Sequence, residues 1–484
     1  MPTVRIPLAG PAYAENSPRL NPQRCINLYP VASGPGGSAT GALYRTPGMA
    51  AVADLGGSPV RGMHLFGNHL YCVVGDRLWR MLESGTVAEV TTSTMRLATT
   101  QGRVAMAENG QVLLMVDGTC GYLWNGAALT TISDAAFPGV GGGFGPTQAV
   151  FLKSYFVVND PNNAGRFYVS NSYVTDAAAF VGGGGTAWAT AESHPDPLLA
   201  LAAHGPYLWL LGRDSTEVWY PSGGVVPFDP VGGREAGIGC AAPWSVARTA
   251  DSLFWLARGQ DGGLAVMRGA TTIRPVSTPP IVQALEENRA SAPTATAFTY
   301  AEDGHSFYQL NIGRRSLVYD LTGEMWHERG AWDTDNAGYT RHAADMQVAF
   351  GARNLVGHHG AGRILELSRS HVDEDGQPLR WERVTPALSA EGRRMFFRRL
   401  SLDLETGLAG PNTPRPQVML SWSDDGGHTW SANRHLPLGA AGRYGLRIAA
   451  HRLGSAHSRV FRIAGSDPVP VALLDAWAEI VVTP

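Results

Sequence analysis

The stretch whose residue types and spacing come closest to a chemical motif is Ser423-Asp424-Asp425-Gly426-Gly427-His428-Thr429-Trp430. Ser423, Asp425, Gly427, Thr429 and Trp430 match the Asp-box pattern Ser-x-Asp-x-Gly-x-Thr-Trp. In that pattern a carboxylate accepts backbone N–H bonds across a tight turn, a glycine takes the left-handed position, and the tryptophan packs under the hairpin. Boxes repeated at blade spacing accompany sialidase propellers, whereas a single box reads as a structural turn. Glycoside hydrolysis needs two carboxylates across a cleft. Glu217, Asp320 and Glu324 are candidates, but nothing in the sequence pairs them. His342 and the doublet His358-His359 invite a metal reading, yet neighbours on a strand point to opposite faces, and no HExxH or carboxylate triad accompanies them. No GxSxG elbow is present. Lys153 is the only lysine among 38 basic residues, so a Schiff base could form nowhere else. Cys25, Cys72, Cys120 and Cys240 are far apart and form no CxxC pair, which argues against a disulfide scaffold or zinc knuckle. The expectation is no catalytic residue, no cofactor and no metal.

A second constellation is basic and aromatic. Residues 392–400 read GRRMFFRRL. Regular alternation puts Arg393, Met395, Phe397 and Arg399 on one face and Arg394, Phe396 and Arg398 on the other. Such a strand could be a solvated one whose arginine stems cover apolar surface. Arginine and aromatics together are also what protein interfaces enrich. Arg393, Arg394, Phe396, Phe397, Arg398 and Arg399 are therefore the candidate interface.

The elements that would position these residues are β-hairpins. In Tyr207–Tyr220 an apolar run, Tyr207–Leu211, is followed by the turn Gly212-Arg213-Asp214-Ser215 and the alternating Thr216–Tyr220, and similar hairpins start at 69, 112, 154, 252, 306 and 346. Their spacing of roughly 40–45 residues, with two longer gaps, is that of β-propeller blades, and Gly-rich stretches at 139–145 and 182–185 interrupt the array as loops. The fold class is all-β: a propeller, with seven blades from the hairpin count, over 61–370. An irregular N-terminal arm, 1–60, is expected from its prolines. A C-terminal β domain, 371–484, carries the Asp-box hairpin, with strands expected at 395–404, 417–423, 459–463 and 473–482. The one plausible helix is Pro280–Glu287, with proline near its start where the missing N–H costs nothing.

Composition narrows the classes. The formal net charge is −3 over 484 residues, so there is no overall basic footprint for gripping nucleic acid. With 59 glycines, 32 prolines and 44 % hydrophobic residues, the chain reads as short strands joined by turns rather than as disorder. No apolar h-region or membrane-length run occurs, and a cytoplasmic site of synthesis is expected.

Asn21–Pro30 (NPQRCINLYP), Tyr44–Gly48 (YRTPG) and Arg61-Gly62-Met63 resemble the N-terminal pattern of short-tailed phage tail proteins of the packaged-DNA-stabilisation type. Glu217-Val218-Trp219-Tyr220, Gly237-Ile238-Gly239 before Trp244-Ser245-Val246, Phe254-Trp255-Leu256 and Arg274–Pro279 look like the family's central stretch. Ser421–Trp430, Arg452-Leu453-Gly454 and Arg459-Val460-Phe461 are similar to phage structural C-termini. The match is made of scattered short motifs and is poor over 139–200. The resemblance implies a virion protein: a homo-oligomeric ring, usually of six copies, forming the tail nozzle. It implies adaptor or portal-proximal proteins and a tail needle, fibre or spike as partners, and genomic DNA passing through without tight binding. It implies no catalytic residues. The competing reading is a carbohydrate-active propeller, sialidase-like or lectin-like.

Overall fold

The computed structural model describes residues 3–10, 21–32, 41–92, 95–176, 180, 188–191, 196–224, 226–411 and 413–483; the Gly-rich stretch at 182–185 lies outside them. Strands make up 52 % of the chain and helices 4 %, so every site in it is held by sheets and turns. Seven sheets follow one another along residues 60–89, 105–131, 149–190, 198–230, 238–275, 296–329 and 344–368. These are the blades of a propeller. In the first six, the hairpin legible in the sequence forms the two middle strands, as in Tyr207–Gly212 paired with Thr216–Pro221. In the seventh, the legible stretch covers the three strands Ala344–Phe350, Arg353–His358 and Arg363–Ser368.

Seven clusters of buried apolar side chains fill the gaps between neighbouring blades, because each blade is apolar on both faces and cannot be stable alone. Between blades four and five, Trp209 and Trp255 meet with ring centres 6.2 Å apart. Phe350, Leu355 and Ile364 of blade seven pack with Val60, Leu70 and Cys72 of blade one, which closes the ring. The fourth strand of blade seven comes from the N-terminal region: Gly48–Asp54 pairs antiparallel with Arg363–Ser368.

The described part of residues 1–60, read as irregular, contains five strands. Their prolines exclude helices but not short strands, and Pro30 sits in Leu28–Ala32, an edge strand that can spare a donor. Thr3–Ile6 and Gly41–Arg45 both pair with Ala472–Val482. Residues beyond 380 form a β-sandwich with this N-terminal contribution, its core including Leu28, Leu400, Phe461, Ile463 and Ile480. The strand Arg24–Ile26 lies between Met325–Arg329, the outer strand of blade six, and Trp381–Val384 of the sandwich. One ten-stranded sheet therefore runs from the propeller into the sandwich. The expected helix is Pro279–Glu287, docked by Ile281, Ala284 and Leu285 against blades five and six.

Candidate functional site

The Asp-box turn has the geometry its residue types dictate. Ser423 closes the strand Gln417–Ser423, and its hydroxyl donates to Asp425 Oδ1 at 2.6 Å while accepting the Gly427 N–H at 2.7 Å. Asp425 in turn accepts the Thr429 N–H at 2.9 Å and the Thr429 hydroxyl at 2.6 Å. These donors, Ser423 foremost, hold the Asp425 carboxyl well below the usual carboxylate range. Gly426 and Gly427 both take positive φ, 81° and 103°, and the Trp430 ring lies under Gly427. The Ser423 hydroxyl, the Asp425 carboxylate and the Thr429 hydroxyl are all consumed by the turn. The neighbouring Asp424, which the motif leaves as a variable position, makes the longer-range tie. Its oxygens accept from Arg459 Nε and Nη2 at 2.6 and 2.7 Å, and that buried guanidinium lies 4.5 Å from the Phe397 ring centre.

The basic-aromatic strand occupies Met395–Leu404, but its faces differ from simple alternation. A bulge at Arg398 shifts the register, so Phe397 pairs with Ile480 and Arg399 with Glu479. Met395, Phe397 and then Leu400 point into the core. Phe397 is 2 % exposed and meets the Phe461 ring at 77°, so it belongs to the core and not to a surface. Phe396 is 43 % exposed, and Arg393, Arg394 and Arg398 are exposed beside it. Arg393 lies 3.6 Å from Glu391, Arg394 donates to Ser455, and Arg399 lies 3.5 Å from Glu479. The register also places Val481 opposite Phe396, and Trp477 opposite Ser401 on the same outward face. These two aromatic and aliphatic neighbours come from the last strand and were not singled out in the sequence.

The remaining chemical candidates are not brought together. Glu217, in blade four, accepts the Trp219 indole N–H at 2.8 Å. Asp320, in blade six, bonds His305 Nδ1 at 2.7 Å. Glu324 is on a turn 3.6 Å from Arg274. His342 is buried, bonded to Gln309 and 3.4 Å from Glu374, and burial pushes its imidazole down to about 4. Adjacent histidines were expected to diverge, but the strand ends at His358, and the His358 and His359 rings lie 5.1 Å apart. Among the described residues no three His, Cys, Asp or Glu side chains converge as a metal site would require. Lys153 is exposed on a turn. All four cysteines are free; burial raises Cys25 to about 11 and Cys240 to about 12, so both stay protonated thiols.

The residues that make the family-like motifs serve the joints of the molecule. Arg24 makes two bonds to Glu328 across the propeller–sandwich boundary. Asn27, fully buried at φ 55°, donates to the carbonyls of Gly330 and Arg380 at 2.8 and 2.6 Å and accepts the Gly330 N–H at 3.0 Å. Arg61 donates to the carbonyls of Gly75, Thr99, Gln101 and Gly102 and to the Thr99 hydroxyl, clamping blade one to the segment that leads into blade two. A Cβ at Gly239 would lie 2.0 Å from the Arg213 carbonyl oxygen, so only glycine fits between those two loops.

Comparison with known proteins agrees with this architecture. Residues 4–372 match the family model of the bacteriophage P22 Gp10 β-propeller, and residues 380–481 match that of the Gp10 β-sandwich. Among solved structures, the WD40 domain of Neurospora crassa Pan2 aligns with a TM-score of 0.41 and 10 % identity, covering 67 % of this chain and 95 % of that one. The extracellular domain of BT4673 from B. thetaiotaomicron aligns with a TM-score of 0.43 and 10 % identity, covering 84 % of this chain and 47 % of that one. The computationally designed Ika8 protein aligns with a TM-score of 0.38 and 11 % identity, covering 66 % and 99 %. No curated protein sequence matches the chain. With both domains matched in tandem, the chain belongs to the bacteriophage P22 Gp10 family, the short-tailed phage tail nozzle and DNA-stabilisation proteins.

Proposed function

We propose that this protein is a structural component of a short-tailed phage tail: a ring-forming nozzle below the portal and adaptor that retains packaged DNA and forms its exit channel. The observation that supports it most is the tandem match of propeller and sandwich to one phage family across nearly the whole chain. A near-neutral composition suits a conduit, since a basic wall would bind phosphates and slow the passage of DNA. The protein acts without catalysis in this reading, because the Asp box spends its groups on a turn and the other carboxylates are each tied to a separate partner, Glu217 to Trp219, Asp320 to His305 and Glu324 to Arg274. No helix among the described residues is long and apolar enough to cross a membrane.

The outward sandwich face around Phe396, Val481 and Trp477, rimmed by Arg393, Arg394 and Arg398, docks the subunit onto the adaptor ring or the next copy. A closed ring is built from heterologous contacts, so this patch meets a different patch on its neighbour. Needle and fibre or spike proteins join at other surfaces. Changing Arg394 and Arg398 together to Glu leaves the fold intact, because exposed charges contribute little to stability. It gives heads that leak DNA or fail to gain tails. Normal yields of tailed, infectious particles from the double variant would refute the docking face.

A further inference from the structure

We propose that the cleft between blades four and five, walled on its third side by the Arg289–Thr294 turn that leads into blade six, binds a carboxylate attached to an apolar group. The cavity is about 390 Å³, with a floor that includes Leu199, Cys240, Pro243 and Leu264 and a rim of Arg213, Arg258 and Arg289. Leu264 and Cys240 are buried, so the floor is a dry, apolar surface continuous with the inter-blade core. The rim is cationic and its charge is largely unspent. Arg289 is committed to Glu286 and to the Gly262 carbonyl. Arg213 and Arg258 have no ion pair or hydrogen bond from their guanidinium groups among the described residues, and both are exposed at the cleft mouth.

Each rim arginine is held by rigid backbone. Arg213 starts a turn capped by Asp196, whose oxygens accept the Asp214 N–H at 2.6 Å and the Ser215 hydroxyl at 3.0 Å. The Arg213 N–H donates to the Pro197 carbonyl at 3.0 Å, and Gly239 packs against its own carbonyl. Arg258 lies in the strand Leu253–Gly259, paired on one side with Gly239 and on the other with Leu264. Two unspent guanidinium forks above an apolar floor, carried on hydrogen-bonded backbone, can close on an oxyanion and select for an attached apolar body. Among the described lining residues there is no carboxylate, hydroxyl or tyrosine, and the one thiol, Cys240, is kept protonated by burial and bonded to the Ala242 carbonyl, so the proposal is one of recognition. The ligand is a free small carboxylate or the C-terminal carboxylate of a chain that ends in an apolar residue.

Isothermal titration of the full-length protein tests this with 2-naphthoate, 2-naphthamide, inorganic phosphate, and an acetylated Ala-Phe dipeptide as free acid and as amide. The expected result is one saturable site per chain for 2-naphthoate. Binding of 2-naphthamide and inorganic phosphate should be at least about tenfold weaker, since the first lacks the charge-assisted hydrogen bonds and the second lacks the apolar body. Arg213→Gln and Arg258→Gln should each weaken 2-naphthoate about tenfold while leaving the thermal midpoint unchanged. Tighter binding of the dipeptide acid than of 2-naphthoate, lost in the amide, identifies a chain terminus; the reverse order identifies a small carboxylate. Absence of saturable binding by either carboxylate, or binding indifferent to both substitutions, overturns the proposal.

Discussion

Asn27→Ala is the perturbation that should separate the two domains most cleanly. Asn27 sits where the N-terminal strand leaves the shared sheet, and its side chain satisfies the Gly330 N–H, the Gly330 carbonyl and the Arg380 carbonyl. Its backbone also accepts from Thr46 and donates to Glu328. Truncation removes two buried hydrogen bonds and one part-buried one and leaves a donor and two acceptors without that partner; at about 1–3 kcal/mol for a stranded donor and less for carbonyls with a second lone pair, this amounts to about 2–5 kcal/mol. The backbone at φ 55° adds about 1 kcal/mol for alanine, which the left-handed region disfavours. Asn27→Gly loses the same bonds without that penalty and should be about 1 kcal/mol less destabilised than Asn27→Ala. Urea unfolding followed by tryptophan fluorescence provides the measurement, since the sandwich holds Trp381, Trp422, Trp430 and Trp477 and the propeller holds others. The alanine variant should show an early sandwich transition distinct from the propeller. Unfolding within about 0.5 kcal/mol of the parent, or glycine more disruptive than alanine, would refute the hydrogen-bond accounting at this joint.

His327 is buried beside Tyr29 and Phe307, and burial, with help from the Arg329 and His305 charges, lowers its imidazole to about 3. A depressed histidine favours folding above its unfolded value near 6.5 and loses that contribution as pH falls toward 3, at about 1.4 kcal/mol per unit. His327→Phe should flatten the stability–pH slope between pH 6 and 4, and an unchanged slope in urea titrations would count against it. Asp425, held low by its turn donors, contributes above the ordinary carboxylate range and loses that contribution as pH falls below about 4. Asp425→Ala should lower the thermal midpoint at pH 7 and bring it closer to that of the parent at pH 2; a glycosidase activity that disappears with the substitution would instead favour the carbohydrate reading. Duplex DNA should bind weakly at physiological salt, given a net charge of −3, and a tight salt-sensitive complex in a filter-binding assay would contradict a non-adhesive conduit.

The propeller was legible because its middle hairpins are long apolar runs punctuated by Gly and Asp, and local pairing is written in local sequence. The N-terminal strands were not, because Thr3–Ile6, Arg24–Ile26 and Gly48–Asp54 are short and find partners some 300 to 470 positions away. Period-2 reasoning placed Met395 and Phe397 on one face and Phe396 on the other, as found, then failed at Arg398, where one inserted residue reverses the parity. The Asp-box pattern identified Asp425 but left Asp424 as a spacer, although only Asp424 reaches the buried Arg459. The residue that would have signalled it, Arg459 among apolar neighbours in the strand Ser458–Gly465, lies 35 positions away. His358 and His359 came together because a strand ended, which no alternation rule foresees.

Electron cryomicroscopy of purified phage particles, with and without the gene for this chain, tests the central claim most directly. The expected result is a ring of seven-bladed propellers with attached sandwiches below the portal in the complete particle, and heads that lose DNA when the chain is missing. Particles that lack the protein yet keep a complete tail and a full head would contradict it.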